Sequence, residues 1–164
     1  MNDENESRYV PIVDVGEEEL LEYCEEFKLN NEKENVTYDL DNIGYFSFME
    51  RQRADGRNLR YALCDNGHVV GLLRASKSVT YPANGMIGYS VRPSERRKGY
   101  GTDILEFAVE LYHKLGIEHI TACVNENNWK SVKTLEKAGF VRTGTTYDWL
   151  PDPLPRRAIE FSHW

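Results

Sequence analysis

The stretch that most constrains the fold is Val91-Arg-Pro-Ser-Glu-Arg-Arg-Lys-Gly-Tyr-Gly-Thr102, a basic turn punctuated by Gly99 and Gly101. A strand-like run over 86–91 leads into it, and an amphipathic segment over 103–115 leaves it. That segment carries Ile104, Leu105, Ala108, Val109, Leu111, Tyr112 and Leu115 at helical spacing and stops at Gly116. A strand that ends in a glycine turn and opens a helix is a recipe for holding a phosphate. Glycine lets backbone approach closely, the helix N-terminus presents unpaired N–H groups, and basic side chains add charge. Two phosphate-binding architectures are excluded by what is missing. No Gly-Lys-Ser/Thr follows, as a nucleotide-hydrolysing loop requires, and no third glycine stands at Asp103 or Ile104, as a dinucleotide fingerprint requires.

Periodicity supplies the other elements. Residues 9–15 read as a first strand, with Pro11 placing it at a sheet edge or a strand start. A helix over 17–27 follows, with Leu20, Cys24 and Phe27 on one face and Glu17, Glu18 and Glu19 in its first turn, where acids suit the helix dipole. Residues 28–40 are polar and read as a loop. A second helix spans about 41–53, with Ile43, Phe46 and Glu50 one turn apart. Runs over 60–65 and 68–74 flank Asn66-Gly67, a strong hairpin signal, and with a turn at 82–85 and the strand at 86–91 they form a three-stranded antiparallel meander. After the long helix come a strand (119–125), a short helix (129–138) ended by Gly139, a Thr- and aromatic-rich strand (140–149), a stiff proline-rich connection (150–155) and a last strand (157–163). The expected class is α+β (α/β), in the order β-α-α-β-β-β-α-β-α-β-β, on a mixed, mostly antiparallel central sheet flanked by helices. The crossover from 86 to 125 favours one parallel pairing within it. The 164 residues, without a dividing linker, fit a single domain over 1–164, with the polar, acidic residues 1–8 as a flexible tail.

Composition narrows the class of partner. Hydrophobic residues at 40% and charged residues at 29% describe an ordinary globular chain. No apolar run approaches the roughly 18–20 residues of a membrane span, and the acidic start is the opposite of a secretory signal, so the expected location is cytoplasmic. The net charge of −7 argues against a nucleic-acid partner held through phosphates. The charge is uneven: residues 1–50 carry 15 Asp/Glu against 3 Lys/Arg, the remainder 12 against 17. The six glutamates between Glu17 and Glu26 therefore either attract a cationic ligand or form a solvated face. Cys24, Cys64 and Cys123, and His68, His113, His119 and His163, are scattered without ligand spacing, so neither a disulfide framework nor a metal site is expected.

A second polar cluster, Asn125-x-x-Asn128-x-x-Ser131 followed by Glu136-Lys-Ala-Gly-Phe140, stands one strand after the basic turn. With these residues in view, the segment 87–141 resembles the acyl-CoA-binding core of the GNAT superfamily of N-acetyltransferases, and the full element order resembles that fold. The run from Ile87 to Gly101 is similar to a bacterial group known only as predicted acetyltransferases. The resemblance implies that the backbone of Tyr89, Ser90 and Val91 accompanies the pantetheine arm and thioester. It implies that Arg97, Lys98, Gly99, Tyr100, Gly101 and Thr102 wrap the pyrophosphate, that Arg96 heads the loop at the family's Arg/Gln position, and that Asn128 and Ser131 lie along the pantetheine from the other side. The implied co-substrate is acetyl-CoA, without a metal, and the implied reaction is acetylation of a small-molecule or peptide amine. A homodimer is compatible with it. The chemistry agrees: coenzyme A is a polyanion with a long amide-bearing arm, which needs a basic N–H nest at one end and a strand edge along the other. Arg92, Arg96, Arg97 and Lys98 supply the dense basic cluster beside a glycine turn.

Two positions depart from the pattern the resemblance implies. Leu135 stands where many members carry a tyrosine as general acid, and Cys123 where members that acetylate protein N-termini carry a glutamate. A thiol with a pKa of about 8.5 leaves tolerably without an acid. The lost glutamate removes the obvious base, and Tyr89, Tyr147, Asp148 or a water chain remain open in its place, so no catalytic residue is assigned. The acceptor is expected between the first two helices and the loop at 149–156. Two other readings stand beside the transferase: a non-catalytic, CoA-binding or regulatory module, and a basic loop that recognises a different phosphate ligand.

Overall fold

The computed structural model describes residues 8–77, 85–148 and 156–164. The proline-rich connection at 150–155 and most of the turn expected at 82–85 lie outside them, as does the acidic start over 1–7. The chain divides into two compact units, one of residues 1–74 and 89–101, the other of residues 75–88 and 102–164.

In the first unit, β1 (Tyr9–Pro11) pairs antiparallel with β2 (Asn58–Asp65), Tyr9 facing Leu63. β1 is shorter than the run 9–15 suggests. Pro11 cannot donate to a ladder, and the chain tightens at once into a 3-10 turn over Ile12–Asp14. Helix α1 (Glu17–Leu29) forms as the 3.6 period requires, burying Leu20, Tyr23, Cys24 and Phe27. The next stretch differs from the sequence expectation. Instead of a loop to residue 40 and one helix, there are two helices, α2 (Asn35–Ile43) and α3 (Tyr45–Ala54). The Glu34 carboxylate caps α2 by accepting from the Val36 N–H at 2.7 Å, and Val36 and Leu40, one turn apart, go into the core. Gly44, at φ +78°, breaks the run and resets the helical phase. Phe46 is consequently 76% exposed, while Phe48 and Met49 are buried.

The hairpin of β2 and β3 (His68–Ser76) turns at Asn66 and Gly67, with φ of +50° and +79°, the left-handed pair that a type I′ turn demands. β4 (Ile87–Val91) ends this sheet, whose order is β1-β2-β3-β4. The expected meander is present.

Helix α4 (Tyr100–Lys114) begins three residues earlier than its apolar stripe suggests, immediately after Gly99. In the second unit, β5 (Ile120–Asn125), α5 (Trp129–Lys137), β6 (Val141–Asp148) and β7 (Arg156–His163) follow. Their sheet runs β5-β7-β6, so the last strand inserts between the two before it, with Ala122 facing Phe161 and Thr145 facing Ile159. Among the described residues, the expected parallel pairing between β4 and β5 is not found. β5 spends its whole length on an antiparallel ladder with β7, and its other contact is an isolated antiparallel bridge from Gly85 to Ala122. That approach is very close: a Cβ on Gly85, whose φ is +62°, would lie 2.6 Å from the Cys123 nitrogen. The Tyr112 hydroxyl, fully buried on α4, donates to the carbonyls of Ser76 and Met86 at 2.8 and 3.0 Å and holds α4 against this same segment.

Candidate functional site

The turn begins at a strand edge. The Arg92 N–H donates to the Val70 carbonyl at 2.8 Å, so even-numbered residues at this end of β4 point their backbone groups at β3. By alternation, those of Val91 point away from it, along the outer side of the last strand in the sheet. A 3-10 turn over Pro93–Glu95 then carries the chain outward. Arg97 follows at φ +65° and Gly99 at φ +88°, interleaved with ordinary residues, a sequence of conformations that turns successive N–H groups toward one side. Tyr100, Gly101 and Thr102 form the first turn of α4, whose N–H groups have no intrahelical acceptor. Nothing lies within 4 Å of a Cβ built on Gly99, so the backbone there is open to close approach.

The basic side chains are not what the sequence suggests. Arg92 is buried and fully engaged: Nε donates to the Glu26 carboxylate, one terminal nitrogen to Glu22 at 2.9 Å, and the other to the Val69 carbonyl at 3.3 Å. Arg96 donates through both terminal nitrogens to the two oxygens of Glu32, at 2.8 and 2.5 Å, while its Nε reaches the Val91 carbonyl at 3.2 Å and its guanidinium lies over the Phe27 ring. Lys98 pairs with Glu95 at 2.6 Å. Among the described residues, Arg97 alone of the four cations has no partner. Burial disfavours the Arg92 charge, but the hydrogen bonds it donates to Glu26 and Glu22 outweigh that and raise its pKa; the hydrogen bond donated to Glu32 raises that of Arg96. Three of the four cations are therefore paired, Arg92 and Arg96 with acidic residues of α1 and its C-terminal connection and Lys98 with Glu95 of the turn itself. Those glutamates, in turn, are not all free to attract a cation.

Two further side chains of the turn are tied down. The Tyr100 hydroxyl donates to Asp65 at the hairpin tip, and that bond pushes the phenol up to about 12 and holds the Asp65 carboxyl below its ordinary value. Ser90 Oγ lies 2.8 Å from the buried Tyr23 hydroxyl. What Tyr100 can offer a ligand is its backbone N–H.

Asn128 and Ser131 belong to the second unit, where the Asn-rich motif builds a helix entry. Asn125 accepts from the Asn127 N–H through Oδ1 and from the Asn128 N–H through its carbonyl, both at 2.9 Å. Asn128 caps α5 by accepting from the Ser131 N–H at 3.3 Å. Its Oδ1 is thereby used, and its amide nitrogen is what remains for a ligand. Leu135 is 2% exposed and serves as core. Cys123 is half-buried and faces Glu160 across the β5–β7 ladder. Glu160 was no candidate on sequence, because only the insertion of β7 beside β5 puts a carboxylate there; it accepts from the Thr143 hydroxyl at 2.9 Å. Tyr147 and Asp148 end β6, and the loop expected to face the acceptor falls outside the described residues over 149–155. Among the described residues, Glu19, Glu22 and His68 could bring ligand atoms within 4.8 Å of one another around a cation, but Glu22 is already paired with Arg92.

An edge strand runs into a turn with left-handed Arg97 and Gly99 at the head of α4, a geometry that can receive an anion. The family model described as the acetyltransferase (GNAT) domain matches residues 8–141, most of the chain. The chain belongs to the GNAT acetyltransferase family. Solved structures share the fold at low identity. A spermidine N-acetyltransferase SpeG chimera from Vibrio cholerae and hSSAT superposes with a TM-score of 0.72 at 16% identity, over 94% of this chain and 93% of that one. Ribosomal-protein-S5-alanine acetyltransferase from Vibrio fischeri gives 0.68 at 16%, over 94% and 90%. The microcin self-immunity acetyltransferase MccE, in complex with acetyl-CoA and AMP, gives 0.72 at 17%, over 93% and 88%. No curated protein matches the chain. Among the described residues, no helix is long and apolar enough to cross a membrane.

Proposed function

We propose that this protein transfers the acetyl group of acetyl-CoA to an amine of a small molecule or peptide. The observation that carries the reading is the turn from Val91 to Thr102: a strand edge, then left-handed Arg97 and Gly99, then the unpaired first turn of α4. Because Arg92, Arg96 and Lys98 are spent on carboxylates, the pyrophosphate is held mainly by backbone N–H groups of residues 97–102, with Arg97 as the available side-chain cation. The open space at Gly99 suits that approach. Backbone of Tyr89, Ser90 and Val91 takes the pantetheine arm, with Asn128 and Ser131 assigned to it by family resemblance. The complex of MccE with acetyl-CoA supports the choice of donor. The family match takes in residues 8–141; one domain over 1–164 and a cytoplasmic setting remain expectations from the sequence.

In the reaction, the neutral amine attacks the thioester carbonyl and the C–N bond forms. The oxyanion of the tetrahedral intermediate is met by the outward N–H of Val91. The C–S bond then breaks, coenzyme A leaves as thiolate, and the proton lost from the amine goes to a base or water. An alkyl amine has a pKa near 10.4, so removal of its proton is a requirement near neutrality. The thiolate, with a conjugate pKa of about 8.5, needs no dedicated acid, which is consistent with Leu135 being core.

The test is release of free thiol from acetyl-CoA in the presence of polyamines, aminoglycosides, amino acids and N-terminal peptides. Turnover with at least one amine class is expected. Background rates with every class, despite tight acetyl-CoA binding, would instead establish the second reading, a non-catalytic CoA-binding module, which the buried Leu135 favours.

A further inference from the structure

We propose that Glu26 and Glu32, two acidic residues outside the turn, are positioning residues that preform the phosphate-binding turn. The inference rests on the reading of that turn as the pyrophosphate site. Carboxylates beside a polyanion site are a liability on field alone, since like charges repel. Here each is spent on the turn itself. Glu26 works with both oxygens: Oε1 accepts from the Ser94 N–H at 2.6 Å, and Oε2 accepts from Arg92 Nε. One carboxylate thus fixes the residue that ends β4 and the backbone two residues on. Burial raises its pKa, but the Ser94 and Arg92 hydrogen bonds outweigh that and hold it below the ordinary carboxyl value.

Glu32 works through Arg96. Its two oxygens take both terminal nitrogens, leaving Nε to close the loop on the Val91 carbonyl, with the guanidinium over Phe27. A bidentate pair of this kind fixes orientation as well as position. Strand end and turn are therefore fastened to α1 and its C-terminal connection at Arg92, Ser94 and Arg96. The next residue, Arg97, sits at φ +65°, a conformation a residue with a Cβ keeps only when its surroundings impose it. The fastening ends where that strained residue begins, and the N–H groups assigned to the ligand start there. Glu22, Glu26 and Glu32 thus hold the turn and are not free to attract a cationic acceptor.

The sign of a charge deletion separates the two ideas. Glu26→Ala and Glu32→Ala each raise the Kd for acetyl-CoA about ten-fold, although each removes a negative charge beside a polyanion. Glu26→Gln recovers much of the loss, because its amide oxygen still accepts from Ser94. Acetyl-pantetheine, which lacks the pyrophosphate, binds wild type and variants alike, and the KM for the acceptor amine does not change. Glu32 is partly exposed, so Glu32→Gln gives a variant whose folding is not at risk and whose affinity falls in the same direction. Unchanged or tighter acetyl-CoA binding in Glu32→Ala and Glu26→Ala, or an equal loss for acetyl-pantetheine, overturns the proposal. Absence of acetyl-CoA binding by the wild type overturns the parent reading and this one with it.

Discussion

The Tyr23 hydroxyl lies 2.8 Å from Ser90 Oγ, so a phenol fully buried on α1 is bonded to the strand that runs into the turn proposed to bind pyrophosphate. Burial is the main reason its pKa is raised well above 10, which keeps it protonated and hydrogen-bonding throughout the working range. Tyr23→Phe keeps the ring among Leu20, Phe27 and their neighbours and removes only the hydroxyl. It is expected to cost about 1–2 kcal/mol, the value of a buried hydrogen bond whose partner loses its mate. Denaturant unfolding should show a lower midpoint with the slope unchanged.

Gly85 and Gly99 should respond to alanine in opposite ways. At Gly85 a Cβ meets backbone of Ala122 and Cys123 at 2.6–2.9 Å, and backbone cannot step aside, so the bridge to β5 must break. A loss of at least about 1–3 kcal/mol in stability is expected. At Gly99 the space is open and only the left-handed φ is penalised, roughly 1–2 kcal/mol. The methyl there would occupy the approach that the proposed pyrophosphate site leaves open. Gly99→Ala should therefore lose acetyl-CoA affinity while largely keeping its fold, whereas Gly85→Ala shows up first in the melting temperature.

The Tyr100–Asp65 pair gives a pH signature. The folded phenol, raised to about 12 by the Asp65 hydrogen bond, titrates above its unfolded value of about 10. Its contribution is fully present below pH 10 and is lost as the pH rises through about 12. Phenolate absorbance, compared between wild type and Tyr100→Phe, should show one tyrosine titrating late. Asp65→Asn should bring that titration back toward 10.

Asn128 predicts a capping effect. Asn128→Ala removes the acceptor for the Ser131 N–H and should destabilise by about 1 kcal/mol. Because the same side chain is assigned to the pantetheine, the variant should also raise the KM for acetyl-pantetheine. A stability loss without any change in KM would leave Asn128 with the cap alone.

Much of this molecule is local, and the local part is legible. The Asn66-Gly67 hairpin, the apolar stripe of α4, the Asn-capped α5 and the glycine turn follow from rules that act within a dozen residues. Local reasoning failed where phase was reset or partners were distant. Gly44 splits one expected helix into two, and a glutamate cap at Glu34 is a weaker sequence signal than Ser, Thr, Asp or Asn. The insertion of β7 between β5 and β6 depends on a pairing that no periodicity encodes. The charge of the turn is hidden from local reasoning for the same reason. Arg92 and Arg96 are basic in sequence, but their carboxylate partners lie 64 to 70 residues away, so their neutralisation shows only in three dimensions.

Backbone N–H groups at the head of α4 are proposed to hold the pyrophosphate of acetyl-CoA. Amide resonances followed during titration with acetyl-CoA test it at the atoms concerned. The largest shifts should fall on residues 97–102, ADP should reproduce them at lower affinity, and acetyl-pantetheine should leave them nearly unmoved. Saturable acetyl-CoA binding with those amides unperturbed would contradict it.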